Sequence, residues 1–149
     1  MPIPPIRPDH WLPEGHHYAT WEEIEVVFGG EPGNFRRATL NWLLAWRDAA
    51  RAKGLSGCVV LNGNFISEKE SPGDFDLLFL YDAASEALVQ QDAEALALVD
   101  PIRCKTAFSG DVFVCSASVV AAYPQFFPTD SFDRIKFSDV TKGVLEVDL

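Results

Sequence analysis

Two short runs rich in apolar and β-branched residues, 57–62 (Gly-Cys-Val-Val-Leu-Asn) and 74–81 (Asp-Phe-Asp-Leu-Leu-Phe-Leu-Tyr), are separated by turn residues that include Ser71-Pro72-Gly73. Runs this short, bounded by glycine, proline and asparagine, read as buried strands rather than helices. Helical patterns alternate with them along the chain. That alternation places the protein in the α/β or α+β class, a mixed β-sheet flanked by helices.

The helical segments announce themselves by their caps. Thr20-Trp-Glu-Glu23 is a capping box, in which the Thr20 hydroxyl serves a free amide three residues on and Glu23 returns the bond. It predicts a short helix to Phe28, stopped by Gly29-Gly30. Asn34 is an N-cap, and Phe35, Ala38, Trp42, Ala45, Trp46 and Ala49 then share a helical face, with Arg36, Arg37, Arg47, Asp48 and Arg51 largely opposite. Trp42 and Trp46, four apart, read as core neighbours rather than a base-stacking platform. This helix runs to about Lys53, with Gly54 as its stop. Residues 83–98 are rich in Ala, Leu and Glu and predict one further helix, followed by Pro101. Strands are expected over 102–108, 111–115 and 144–147, a helix over 118–126 as far as Pro124, and a loop over 126–138. The last contains Phe126-Phe127-Pro128, read as core packing or a docking patch.

The chain has 149 residues, the size of one domain, here 1–149 with residues 1–19 as an arm packed on it. That arm holds five of the ten prolines and all three histidines, and Trp11, Leu12 and Tyr18 are its expected anchors. His10, His16 and His17 read as solvent or packing residues, since adjacent side chains in extended backbone point oppositely. The longest apolar run, Leu77 to Tyr81 with Phe75 counted across Asp76, is six residues, far short of the ~20 that cross a bilayer. The N-terminus shows no charged leader or apolar core, so a cytoplasmic location is expected. Twenty-two acids against 12 bases give a net charge of −10. This balance opposes a broad nucleic-acid surface, which draws its affinity from Lys and Arg on phosphates. Cys58, Cys104 and Cys115 match no zinc or redox spacing and read as small apolar residues.

The chemistry is concentrated around the two strands. Asp74 and Asp76 lie two apart on the second, so both leave the same face, roughly 7 Å apart at the backbone. Carboxylates held together need a positive neighbour, and hard oxygen ligands suit Mg²⁺ or Mn²⁺. Asp111, opening a later strand, is the candidate third acid. Gly63 directly follows the first strand, where a missing side chain lets backbone approach a phosphate, and Asn64 next to it offers amide and side-chain donors. Lys69, in the intervening loop, reads either as a countercharge for a triphosphate or as a solvated lysine. No nucleophile triad, Walker sequence or dinucleotide fingerprint appears.

The order glycine, small polar residue, nine residues, then Asp-Phe-Asp-Leu resembles the signature of the nucleotidyltransferase superfamily that includes DNA polymerase beta and the minimal nucleotidyltransferases. Leu12-Pro-Glu-Gly15, Ala19-Thr-Trp-Glu-Glu23 leading to Phe28-Gly29, Gly63 to Asp76 with Lys69 and Pro72 inside it, and Lys142-Gly-Val-Leu-Glu146 together resemble a bacterial family of uncharacterised nucleotidyltransferase-like proteins. The resemblance implies a minimal nucleotidyltransferase fold. It implies Mg²⁺ or Mn²⁺ on Asp74, Asp76 and Asp111 as catalytic acids, and a nucleoside triphosphate held by Gly63, Asn64 and Lys69. It further implies nucleotide transfer to a protein or RNA acceptor, in a toxin–antitoxin or phage-defence setting, with a protein partner such as a basic toxin. Asn64 departs from the Ser or Gly usual after that glycine. The alternative is a catalytically inactive binding protein on the same fold, an antitoxin or an assembly subunit.

Overall fold

The computed structural model describes residues 3–116 and 143–149. Along the chain lie β1 (His16–Tyr18), α1 (Trp21–Phe28), α2 (Phe35–Ala52), β2 (Gly57–Asn62), a 3₁₀ turn (Asn64–Ile66) and β3 (Asp76–Tyr81). Helices α3 (Ala83–Gln91), α4 (Ala93–Ala97) and α5 (Pro101–Phe108) follow, then β4 (Asp111–Ser116) and β5 (Val144–Asp148). The described strands form one five-stranded mixed sheet in the order β1-β5-β2-β3-β4. β5 pairs antiparallel with β2 and β2 antiparallel with β3, while β1 runs parallel to β5 and β4 parallel to β3. The three helices α3 to α5 form the crossover that a parallel β3–β4 pair requires. The expected helix over 118–126 and the loop over 126–138, with Phe126-Phe127-Pro128, lie outside the described residues.

Several elements form where their local chemistry places them. Thr20 accepts from the Glu23 amide at 3.1 Å and Glu23 accepts from the Thr20 amide at 3.2 Å, closing the capping box. Asn34 caps α2 through the Arg36 amide. β2 carries Val59 and Leu61, and β3 carries Leu77 and Phe79, all fully buried in the core with Trp46 and Leu40 of α2.

Four expectations need correction. The segment 102–108 is the helix α5, not a strand, because Asp100 accepts from the Ile102 and Arg103 amides and Pro101 sits at the first helical position. That proline starts a helix here, its missing N–H being one of the groups a helix start leaves unpaired anyway. The segment 83–98 is two helices, because Asp92 turns to extended backbone and accepts from the Glu94 and Ala95 amides, capping α4. The inward face of α2 comprises Arg36, Thr39, Leu40, Leu43, Trp46 and Ala50, so Phe35 and Trp42 are 71% and 45% exposed instead of buried. In the arm, Leu12 is buried, but Tyr18 is 66% exposed and anchors nothing in the core. The histidines separate: His10 pairs with Glu68, His16 with Glu146, and His17 bonds the Pro13 carbonyl. All three cysteines are free thiols; Cys104 is fully buried, Cys58 and Cys115 partly so. Among the described residues no helix is long and apolar enough to cross a membrane.

Candidate functional site

At one end of the sheet, three polar residues stand in register across three strands whose other positions are largely apolar. Asn62 is opposite Asp76, and Asp76 is opposite Asp111. Phe75, Leu77 and Phe79 enter the core, alternating with Asp76 at the start of β3, and Asp74, which the sequence places on the strand, lies in the loop before it and joins Asp76 in one cluster. Asp111 is set level with them by its amide, which donates to the Phe75 carbonyl at 2.8 Å. Gly110 permits this close approach, since any Cβ there would strike the Phe75 ring. One carboxylate oxygen from each of Asp74, Asp76 and Asp111 lies within 4.8 Å of the other two.

Gly63 completes the enclosure on the β2 side. Its φ of +78° belongs to the region that favours glycine, and a Cβ would overlap the Asp76 carboxylate. The Asn62 side chain accepts from the Gly63 amide at 2.8 Å and holds the turn. Beyond it Asn64 and Lys69 line a cleft of about 510 Å³ with Trp11, His10 and Glu68. The structure thus brings Gly63, Asp74, Asp76 and Asp111 into one cluster and sets Asn64 and Lys69 on a cleft that none of the three acids lines.

Two residues missed as site components are Arg36 and Lys105. Arg36 points inward from the first turn of α2. Its guanidinium donates to the carbonyls of Phe28, Phe65, Ser67 and Lys69, spanning the loop that follows Gly63. Burial lowers its pKa, and these four carbonyls are the partners a buried guanidinium requires. Three residues on, the Thr39 hydroxyl donates to the Pro72 carbonyl at 2.9 Å. Helix α2 therefore fixes both halves of the loop between the glycine and the acids. The signal was present as the i, i+3, i+4, i+7 series Arg36, Thr39, Leu40, Leu43, obscured by two polar members.

Lys105, in the last turn of α5, places its ammonium 2.7 Å from Asp74 Oδ2 and 3.4 Å from Asp111 Oδ1. The sequence points to Lys69 as the countercharge; among the described residues it is Lys105 that pairs with Asp74 and Asp111. Its bond to Asp74, reinforced by the charges of Asp74 and Asp111, raises its pKa above the ordinary lysine value. Reading 102–108 as a strand concealed this residue.

Three carboxylates at this separation repel by roughly 3 kcal/mol per pair at an effective dielectric of about 20, so the cluster is built for a cation. An all-oxygen, all-carboxylate set is donor chemistry that Mg²⁺, Mn²⁺ and Ca²⁺ share. A family model described as "Family of unknown function (DUF6932)" matches residues 4–148, and the chain belongs to that family. No curated protein and no solved structure matches it.

Proposed function

We propose that this family member is a nucleotidyltransferase, moving a nucleoside monophosphate from a nucleoside triphosphate to a protein or RNA acceptor on a minimal nucleotidyltransferase fold. The observation that carries the reading is the convergence of Asp74, Asp76 and Asp111 beside Gly63. Asp74, Asp76 and Asp111 would hold Mg²⁺ or Mn²⁺, which when bound neutralises triphosphate charge and orients the attacking and leaving oxygens. Gly63, whose missing side chain makes room for the Asp76 carboxylate, turns the chain so that Asn64 faces the phosphates. Asn64 donates to them from the cleft wall, and the Lys69 ammonium offsets their charge. Asp111, on the strand beside Asp76, is the group to accept the proton of the acceptor hydroxyl. Catalysis of this kind is positioning plus charge stabilisation, which explains why Arg36 and Thr39 are spent on holding the loop.

A toxin–antitoxin or phage-defence setting in the cytoplasm, with a basic partner protein, goes with this reading. The net charge of −10 would speed encounter with such a partner. A second reading is a binding protein on the same fold that turns nothing over. Lys105 favours it, since its ammonium already neutralises part of the acid cluster, as do the exposed Phe35 and Trp42 on α2.

Calorimetry with ATP, GTP, CTP and UTP, each with and without Mg²⁺, separates the two. Transfer predicts metal-dependent binding of at least one nucleotide, lost in the folded Asp74→Asn, Asp76→Asn double variant. It further predicts that Asp76→Asn abolishes nucleotide labelling of an acceptor. Absence of nucleotide binding by the folded wild type would support the binding-protein reading.

A further inference from the structure

The acid cluster is not bare: a lysine from another element reaches into it. Lys105 is carried by α5, whose N-terminus is set by Asp100 and Pro101, and it bridges Asp74 and Asp111, which come from the loop before β3 and the start of β4. Its side chain is 49% exposed, its ammonium held there by the two carboxylates. A compact ammonium on a flexible four-carbon stem can leave such a position at small cost. A divalent ion entering among the same carboxylate oxygens would meet that ammonium at close range and be repelled by it.

We propose that Lys105 is the resident countercharge of the cluster, displaced when a divalent ion binds, and that the freed ammonium then pairs with the bound triphosphate. The proposal rests on the metal-dependent reading above. Lys105 partly neutralises the cluster in the metal-free protein, makes metal loading weak by itself, and couples it to nucleotide, because a phosphate offers the displaced lysine a new partner. Such coupling is reciprocal: triphosphate tightens metal as much as metal tightens triphosphate. Lys105 is here a competitor for the cation site first and a triphosphate-binding residue second.

The test uses the full chain and two readouts independent of turnover. Free Mn²⁺ is followed by electron paramagnetic resonance in wild type, Lys105→Met and Lys105→Gln, each with and without Asp76→Asn. Removing one unit charge a few ångströms from the cation should tighten Mn²⁺ binding about tenfold in both lysine variants. Asp76→Asn should abolish that binding. Acetylation of Lys105, read by mass spectrometry, should rise when Mg²⁺ is added and fall again with Mg²⁺ and tripolyphosphate together. Equal or weaker Mn²⁺ affinity in the lysine variants, with Asp76-dependent binding intact, would overturn the proposal and leave the metal site standing. Acetylation that stays high with tripolyphosphate would overturn the phosphate half. If neither wild type nor the lysine variants bind Mn²⁺, the metal reading fails and Lys105 is a permanent structural counterion.

Discussion

Arg36 shows how one side chain can organise a site it does not enter. A guanidinium offers five donors in a rigid fork, and here the fork donates to the carbonyls of Phe28, Phe65, Ser67 and Lys69. It also lies over the Phe65 ring at 5.9 Å. Arg36→Met keeps much of the volume but deletes every donor, so we expect a loss of about 3 kcal/mol in urea unfolding, the combined effect of charged hydrogen bonds lost and acceptors stranded. Arg36→Lys restores charge without the fork and should recover less than half of that. A loss under about 0.5 kcal/mol in the methionine variant would mean that water replaces the guanidinium and the loop is not held from α2.

At the level of elements, aspartates decide where the crossover helices begin. Asp82, Asp92 and Asp100 cap α3, α4 and α5 in turn, each accepting from backbone amides of the first turn. Asp82 has a second task. It also accepts from the Ser56 hydroxyl and its amide donates to the Ser56 carbonyl, tying α3 to the start of β2. The Ser56 bond first, and the Ser85 amide after it, hold its pKa below the ordinary aspartate value of 3.8. A carboxyl whose folded pKa is depressed contributes stability above its unfolded pKa and loses it as pH falls through the lower folded value. Asp82→Ala should therefore cost about 1 kcal/mol near neutrality, a typical N-cap loss. The gap between variant and wild type should close below pH 3.8. Unfolding curves at several pH values check this; a gap constant down to the acid transition would show that the cap acts without its charge.

Across the whole molecule, the arm is a structural part of the sheet. β1 pairs in parallel with β5, the Gly143 amide donates to the Leu12 carbonyl, and the Ala19 amide donates to the Glu146 carbonyl. Leu12 is 1% exposed within the same core as Trp46 and Phe79. Leu12→Ala should thus behave as a core truncation, costing about 3 kcal/mol in denaturant unfolding. A cost below about 0.5 kcal/mol would assign the arm to the surface.

What the sequence by itself determined is whatever depends on neighbours in the chain. The capping box at Thr20, the Asn34 cap, the bounds of β2 and the glycine-to-aspartate pattern all rest on interactions within a few residues, so residue order was enough. Asp76 and Asp111 were legible because a strand start is a local property, and Asp74, two residues before Asp76, lies in the loop and not on the strand. Tertiary structure alone decided which face of α2 turns inward, because Phe35 and Trp42 make one face apolar while Leu40, Leu43 and Trp46 make another. The choice falls to the face whose Arg36 and Thr39 can satisfy loop carbonyls. It also decided that Lys105, 31 residues from Asp74 in the chain, pairs with the acids, brought there by a crossover of three helices. A charge pairing over that separation leaves no local pattern; it exists only once β3 and β4 lie side by side.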